Sequence, residues 1–169
     1  MTGIQSVERS DFISLAELTD EVCCDLASIA DQKKVELIQE EGDCTVTGSY
    51  LLLYRAVYNL VENAIKYNHS GGKVTVKISQ TKALPAAHSK PTDYALVEVT
   101  DTGIGISPEF QEKIFDPFFR VDKSRSRAMG GAGLGLALVN EIARQHGGQV
   151  KVLASSEQGS TIALVLPLS

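Results

Sequence analysis

Hydrophobic and polar positions along this chain repeat with two different periods, and these periods predict its helices and strands. Apolar residues return every three or four positions, as on one face of a helix, over three segments: 15–29, 49–67 and 134–146. Alternating or short continuous apolar runs, typical of strands, occupy six segments: 35–38, 44–47, 73–81, 94–99, 150–153 and 161–166. Because helices and strands do not alternate regularly and the turns are short, the pattern favours an α+β two-layer sandwich with a mainly antiparallel sheet.

Turn-forming residues mark the ends of these elements. Ser49 is suited to cap the second helix, and the sequence Asn-His-Ser-Gly-Gly at 68–72 is suited to end it. Gly42 and Asp43 predict a turn between the first two strands. Residues 82–93 contain two prolines, so they predict an excursion from the hairpin between the third and fourth strands, to which we assign no role.

Length and charge narrow the function before any motif is considered. The chain has 169 residues, enough for one domain, and we assign residues 1–11 to a linker and residues 12–169 to that domain. Its net charge of −5, from 16 basic and 21 acidic residues, argues against broad binding of nucleic acid. No apolar run approaches the roughly 20 residues of a membrane-spanning helix. The three cysteines have no metal-type spacing, which indicates reduced thiols in a cytoplasmic protein, with a zinc site that includes a histidine as the alternative.

The second predicted helix carries a polar stripe opposite its apolar face. Asn59 and Asn63 are one turn apart, so their carboxamides point the same way, and Lys66 and Tyr67 follow about one turn later. The simple interpretation is a face in contact with water. Asparagine is a poor helix former, however, and side-chain oxygens on one face suit Mg²⁺, which keeps most of its waters and bridges phosphates. The stripe is therefore also a candidate site for magnesium and phosphate.

A glycine-rich segment, Asp101-Thr102-Gly103-Ile104-Gly105, directly follows the fourth predicted strand. It is either a simple turn or a place where backbone approaches a planar ligand beside a buried acceptor. Under the second interpretation Asp101 accepts a hydrogen bond, and the exocyclic amine of adenine is a suitable donor.

A second glycine cluster, from Gly130 to Leu136, opens the last helix. Backbone N–H groups at a helix start form an anion site, and glycine lets a phosphate approach them. The segment is neither a Walker A loop nor a dinucleotide fingerprint, because no Gly-Lys-Ser/Thr follows and Leu136 occupies the place of the third glycine. It supports a nucleotide site only together with the two preceding signals.

The segment between the clusters combines aromatic and basic residues. Phe115 and Phe118 precede Arg120, and Lys123, Arg125 and Arg127 follow. This pattern predicts a mobile lid over residues 107–129, which we expect to gain protection from hydrogen exchange when a nucleotide binds. For the basic run alone, simple solubility is the alternative.

Taken in order, these motifs are similar to those of one known family. They are Asn59-x-x-Glu-Asn63-x-x-Lys66-Tyr67, Asp101-x-Gly103-x-Gly105, Phe115-x-x-Phe118, Gly131-x-Gly133-x-Gly135 and Gly159-Ser-Thr161. They resemble the N, G1, F and G2 boxes and the C-terminal Gly-Ser/Thr turn of the catalytic ATP-binding domain of sensor histidine kinases. The resemblance runs over residues 12–168 and implies the Bergerat (GHKL) fold, a mixed, mainly antiparallel sheet packed on three helices, with ATP and Mg²⁺ under the lid.

The resemblance also implies a role for each matched residue. Asn59 and Asn63 would hold Mg²⁺ and phosphate oxygens, Lys66 would meet phosphate, and Asp101 would accept from the adenine amine. Arg120 would reach the γ-phosphate, so that Asn59, Lys66 and Arg120 are the implied catalytic residues. The other positions implied to line the nucleotide are Tyr67, Gly103, Gly105, Ile106, Gly131, Gly133, Leu134, Gly135, Leu136 and Thr161.

The implied activity is transfer of the γ-phosphate of Mg-ATP to a histidine on a separate dimerisation and phosphoacceptor domain of the same sensor kinase. A response regulator would receive the phosphate later, in the cytoplasm. None of the three histidines lies in a His-Glu-x-x-x-Pro motif, so we do not expect this chain to phosphorylate itself. Ala132 departs from the family pattern, since a polar residue is common there.

Three other functions stay open at this point. A gyrase-like or chaperone-like ATPase is disfavoured because such enzymes activate water with a carboxylate, and the neutral amide of Asn59 occupies that position. A serine kinase of the anti-sigma type shares the fold, and the F box and the long lid argue against it. A nucleotide-sensing module that binds ATP without transferring phosphate is the third.

Overall fold

The structure, a computed structural model, describes residues 11–82, 93–106, 108–111, 113–116 and 134–168. Its strands, in chain order, are β1 (Asp11–Ser14), β2 (Glu36–Gln39), β3 (Thr45–Gly48), β4 (Lys73–Lys82), β5 (Asp93–Asp101), β6 (Gln149–Ser156) and β7 (Gly159–Pro167). Its helices are α1 (Leu15–Lys33), α2 (Tyr50–Lys66) and α3 (Leu134–Gln145), with short 3₁₀ turns at Pro108–Phe110 and Lys113–Phe115.

Five strands form the main sheet in the order β2-β4-β5-β7-β6. The pair β2–β4 is parallel and the other three pairs are antiparallel, so the sheet is mixed and mainly antiparallel. The strands β1 and β3 form a separate two-stranded antiparallel sheet. This arrangement confirms the predicted α+β sandwich.

The three helices pack on the sheet because each has one apolar face. Apolar residues of α1, α2, α3 and the sheet are fully buried in one continuous core, which includes Leu18, Val57, Val97, Ile142 and Leu164. Burial of this area is the main stabilising contribution to the fold. Because α2 contacts α1, α3 and β5, it is the central helix, and its polar stripe is fixed relative to the end of β5.

Side-chain caps fix where α1 and α2 begin. The predicted cap of α2 is confirmed, because the Ser49 hydroxyl accepts from the backbone N–H of Leu52 at 3.3 Å. The Ser14 hydroxyl caps α1 in the same way. Asp43 adds to this cap by accepting from the backbone N–H of Ala16 at 2.9 Å.

The aromatic residues of α2 form a second contact with α1 outside the core. The rings of Tyr50 and Tyr54 stack with centroids 6.4 Å apart, and the rings of Tyr54 and Tyr58 are tilted with centroids 5.9 Å apart. The hydroxyls of Tyr50 and Tyr54 donate to Glu21 and Asp25 of α1. These hydrogen bonds join the exposed edges of α1 and α2, and the hydrophobic periodicity of the sequence does not predict them.

Two details at the N-terminal side differ from the sequence prediction. A strand, β1, begins at Asp11, within the segment assigned to the linker. The turn predicted at Gly42 and Asp43 does not join paired strands, because β2 pairs with β4 and β3 pairs with β1. Both differences have one cause: the partners of these short strands lie outside their immediate sequence neighbourhood.

Part of the predicted lid and most of the excursion lie outside the described residues. This applies to residues 83–92, and to Phe118, Arg120, Gly131, Ala132 and Gly133 with the basic run between them. The described beginning of the lid segment is built into the fold, because Ile114 is buried in the core and its 3₁₀ turn packs against α3. No helix in the described part of the chain has the length and apolar character that crossing a membrane requires.

Candidate functional site

The polar stripe of α2 is not a simple water-facing surface. Asn59 and Asn63 are half-buried, whereas Lys66 at the last turn is exposed. The amide nitrogen of Asn63 is closed off from water and has no hydrogen-bond partner in the described part of the chain. An unpaired buried amide costs free energy, so this position is unfavourable unless another molecule pairs with it. The geometry therefore favours a binding role for this residue over solvation.

Asn59 has different surroundings, although it lies only one turn away. It lines an open depression of about 300 Å³ together with Tyr54, Arg55, Tyr58 and Leu138. The two asparagines thus share a helix face, as the sequence predicted, but Asn59 lines an accessible depression, whereas the amide nitrogen of the half-buried Asn63 is closed off. This difference makes Asn63 the better-defined candidate ligand.

Asp101 ends β5 and presents a carboxylate with both oxygens held. Its Oδ1 accepts from the backbone N–H of Gly103 at 2.8 Å, and its Oδ2 accepts from the Ser160 hydroxyl at 3.1 Å. Burial raises the pKa of Asp101 above its ordinary value of 3.8, and the hydrogen bonds from Gly103 and Ser160 oppose this rise. The carboxylate is therefore a partly buried acceptor in a fixed orientation, as the sequence analysis expected.

The glycine turn after Asp101 is wedged between α2 and β6. The backbone N–H of Ile104 donates to the carbonyl of Tyr67 at 3.3 Å, and that of Ile106 donates to the Ser155 hydroxyl at 2.7 Å. Gly105 has φ of +76°, and a Cβ there would lie 1.9 Å from the carbonyl oxygen of Ser156. Only glycine satisfies both conditions, so the turn depends on this residue.

Tyr67 is the C-terminal cap of α2 and lies beside this turn. It is half-buried, and burial, with a smaller effect from Glu62, raises its pKa to about 12. The side chain is therefore a neutral phenol near pH 7, with an aromatic face suited to a planar ligand.

Ser160 and Thr161 are neighbours on β7 that face opposite sides of the sheet, and the expected contact of Thr161 with the nucleotide stays a prediction. Ser160 pairs with Asp101 and Thr161 pairs with Thr100 in the antiparallel register of β5 and β7. Successive strand residues point to opposite faces of a sheet, so the Thr161 hydroxyl bonds to that of Thr100 at 2.9 Å, on the face opposite the carboxylate. The sequence analysis therefore missed Ser160, and the strand register is the signal that identifies it.

The start of α3 is described only from Leu134 onward, so the predicted contacts of its glycine cluster with phosphate stay predictions. Leu136 is buried in the hydrophobic core, so its side chain serves packing. Ile106 is half-buried and packs against the same core. Leu134 and Gly135 form the first turn of α3. Three of the positions predicted to contact the phosphates lie outside the described residues: Arg120, Gly131 and Gly133.

Comparison with known proteins gives one consistent result. Residues 48–169 match the family described as histidine kinase-, DNA gyrase B- and HSP90-like ATPase. The sensor-like histidine kinase SenX3 of Mycobacterium tuberculosis is 41% identical over 139 residues, which cover 82% of this chain and 32% of SenX3. The sensor histidine kinase RppB of Synechocystis is 34% identical over 99% of this chain and 41% of its own length. The chain thus spans about a third to two fifths of these relatives.

Solved structures of similar domains agree with this match. The mycobacterial sensor histidine kinase MprB has a TM-score of 0.73 at 29% identity, covering 94% of this chain and 97% of that chain. A nucleotide-free catalytic domain of histidine kinase ThkA has a TM-score of 0.73 at 25% identity, covering 94% and 96%. Since the family match covers most of the chain and the neighbours share its whole fold, this chain belongs to the histidine kinase-, DNA gyrase B- and HSP90-like ATPase family, as a catalytic ATP-binding domain of the sensor histidine kinase type.

Proposed function

We propose that this domain binds Mg-ATP and transfers its γ-phosphate to a histidine on a separate phosphoacceptor domain of its sensor kinase. The observation that carries the proposal is the buried, unpaired amide of Asn63 on the polar face of α2. The two ends of an amide exchange by a half-turn about the terminal side-chain bond. The same position can therefore present Nδ2 to a phosphate oxygen or Oδ1 to Mg²⁺.

The residues fit a magnesium–nucleotide complex in chemistry as well as in position. Mg²⁺ prefers oxygen ligands and keeps several waters, so one or two amide oxygens from Asn63 and Asn59 suffice. When bound, the ion supplies charge neutralisation at the phosphates. Lys66 adds a positive charge at the end of the helix, where it is exposed and able to reach a phosphate.

The adenine would lie at the other end of the site. Asp101 accepts from its exocyclic amine, with Gly103 and Ser160 keeping the carboxylate oriented. Tyr67 covers the base or ribose with its neutral ring. The family pattern adds Arg120 at the γ-phosphate and the glycines 131, 133 and 135 along the phosphate chain.

The acceptor histidine is proposed to come from outside this domain. The ring of His146 is buried, and both its nitrogens are engaged, with Ser49 and with the carbonyl of Ile142. His69 lies on the exposed turn after α2, and His88 is outside the described residues. Phosphoryl transfer is mainly positioning and charge neutralisation, so the domain needs no base of its own for a nitrogen acceptor. A response regulator is the proposed next recipient, in the cytoplasm.

A binding titration tests the first half of the proposal. A fluorescent ATP analogue is titrated into the chain with and without Mg²⁺, and the same is done for Asn63→Ala and for Asn140→Ala, a half-buried asparagine on α3. We expect magnesium-dependent binding in the wild type and in the control, and its loss in Asn63→Ala. Unchanged affinity in Asn63→Ala, with magnesium still required, would contradict the ligand role.

A transfer assay tests the second half. The chain is mixed with a phosphoacceptor helix domain and γ-labelled ATP, and the label is examined for the acid lability of phosphohistidine. Label on the acceptor supports the kinase. Rapid release of inorganic phosphate without an acceptor would favour the ATPase alternative, and binding with neither outcome would favour a nucleotide-sensing module.

A further inference from the structure

Asn68 is a buried polar residue immediately after the cap of α2. The residue is 5% exposed, and both ends of its side-chain amide make hydrogen bonds within the protein. The amide Nδ2 donates to the carbonyl of Lys73 at 2.9 Å, and Oδ1 accepts from the backbone N–H of His69 at 2.9 Å. Oδ1 also accepts from the Thr102 hydroxyl at 3.1 Å. Asn68 is thus bonded to the start of β4 and to the turn that follows β5.

Thr102 completes the network from the other side. Its hydroxyl accepts from the backbone N–H of Lys73 at 2.9 Å while donating to Asn68. Its own backbone N–H donates to the carbonyl of Lys73 at 3.2 Å. Thr102 lies between Asp101 and Gly103 in the chain. A movement of Thr102 therefore also moves the Asp101 carboxylate, which is proposed to accept a hydrogen bond from adenine.

Close packing leaves this network little freedom to rearrange. A Cβ at Gly72 would lie 2.1 Å from Oδ1 of Asn68 and 2.7 Å from the Thr102 hydroxyl. The backbone bond from Ile104 to Tyr67 lies beside it and joins the same two segments. The end of α2 and the turn of residues 101–105 are therefore held together by one side-chain bridge and one backbone bond.

We propose that Asn68 and Thr102 are positioning residues for nucleotide binding. This inference rests on the proposed function. Their hydrogen bond sets the position of the turn that carries Asp101 relative to the helix that carries Asn63 and Lys66. A nucleotide that contacts both segments gains from this fixed geometry, because the ordering is complete before it binds. Neither side chain needs to touch the nucleotide to have this effect.

A comparison of two ligands, adenosine and ATP, distinguishes the proposed positioning role from a purely stabilising one. Adenosine would contact the turn and the adjoining Tyr67, whereas ATP would also reach Asn63 and Lys66. Loss of the Asn68–Thr102 hydrogen bond should therefore lower the affinity for ATP more than the affinity for adenosine. A variant that only lowers the folded fraction would lower both affinities by the same factor.

The experiment compares two threonines on either side of Asp101 in the full 169-residue chain: Thr102, in the turn, and Thr100, in β5. Thr102→Val removes the bridging hydroxyl with little change of shape, and Thr102→Ser keeps it. Thr100→Val removes a hydroxyl that bonds to Thr161 on the opposite face, so it is the matched control. Dissociation constants for Mg-ATP and adenosine are measured by calorimetry at a temperature where circular dichroism shows every variant folded.

Thr102→Val removes the hydroxyl's bonds to Asn68 and to Lys73, so we expect it to weaken ATP binding by about tenfold and adenosine binding by clearly less. Thr102→Ser and Thr100→Val should match the wild type, and Asn68→Ala should behave like Thr102→Val. Equal losses of affinity for ATP and adenosine, or a loss of ATP affinity in Thr100→Val equal to that in Thr102→Val, would overturn the positioning role and leave the proposed function standing. A wild type that binds neither ligand would instead refute the proposed function, and the inference with it.

Discussion

Asp101 and Ser160 face each other across the antiparallel pair of β5 and β7, and the Ser160 hydroxyl donates to Oδ2 of Asp101 at 3.1 Å. The backbone N–H of Gly103 holds the other carboxylate oxygen. A carboxylate has about four acceptor positions, so it keeps acceptor capacity for a ligand after these bonds are made. Ser160 therefore orients Asp101 and leaves it able to accept from a base.

The first prediction concerns this hydroxyl. Ser160→Ala should raise the dissociation constant of Mg-ATP several-fold, since the loss of one orienting hydrogen bond costs about 0.5 to 1 kcal/mol. Thr161→Val changes the neighbouring residue on the opposite face and is the control. Calorimetric titration of both variants measures the effect. If Thr161→Val weakened ATP and Ser160→Ala did not, the assignment based on strand register would be wrong.

The second prediction follows from the raised pKa of Asp101. Because burial favours the neutral carboxyl, the folded protein binds this proton more tightly than the unfolded chain does. The contribution of Asp101 to stability therefore improves as the pH falls toward its folded pKa, above 3.8. The affinity for adenine changes in the opposite direction: it falls as the pH falls, because the Asp101 carboxylate becomes protonated in the same pH range.

The variant Asp101→Asn tests the role of this carboxylate in both stability and ATP affinity. It should weaken ATP by roughly tenfold or more, from a loss of about 1.5 to 3 kcal/mol, with little loss of thermal stability at pH 7. The acid-induced fall in affinity should also be smaller than in the wild type, when both are titrated between about pH 4 and 7. Protonation of the phosphates affects both proteins alike, so their difference isolates Asp101. Parallel pH curves would show that Asp101 does not titrate in this range.

Periodicity predicted most of the fold because its long elements each bury one face. The helix α2 is an example: Val57, Leu60 and Val61 mark its buried side, and Ser49 marks its start. The strand β1 was missed because its partner, β3, lies beyond the whole of α1 and β2 in the sequence. The parallel pairing of β2 with β4 was missed because it depends on a contact across the whole of α2.

The site was predictable where a motif carries its chemistry in the residue itself. Asn63 and Asp101 were predicted because their side chains are of the type expected to bind Mg²⁺ and an adenine amine, and both roles stay predictions. Ser160 and Asn68 were not predicted, since their roles depend on strand register and on the meeting of α2, β4 and β5. A sequence motif shows which residue types are present, and it does not show which face of a strand each occupies.

The third prediction uses two glycines with similar backbone angles. Gly105 and Gly71 have φ of +76° and +89°, so alanine is strained at both by about 1 to 2 kcal/mol. At Gly71 no atom lies within 4 Å of an added Cβ, whereas at Gly105 the carbonyl of Ser156 is in the way. Gly105→Ala should therefore displace the turn and lower ATP affinity on the order of tenfold to a hundredfold.

Gly71→Ala should lower the free energy of unfolding slightly and leave ATP affinity unchanged. Urea denaturation and calorimetric titration of the two variants measure both quantities. Similar ATP affinities for both variants would show that the turn tolerates displacement and does not set the position of the nucleotide.

The last prediction concerns the two histidines that the structure describes. Nε2 of His146 accepts from the backbone N–H of Ser49 at 3.1 Å, and its Nδ1 donates to the carbonyl of Ile142 at 2.9 Å, so the ring joins α3 to the start of α2. His146→Ala leaves the backbone N–H of Ser49 unpaired and opens space beside Gly48, which should cost roughly 2 to 4 kcal/mol of unfolding free energy. His146→Gln should recover part of this loss, since its amide oxygen can accept from Ser49. His69→Ala, at an exposed turn, should change stability by no more than about 0.5 kcal/mol. Equal urea midpoints for His146→Ala and His69→Ala would show that the buried ring does not hold the two helices together.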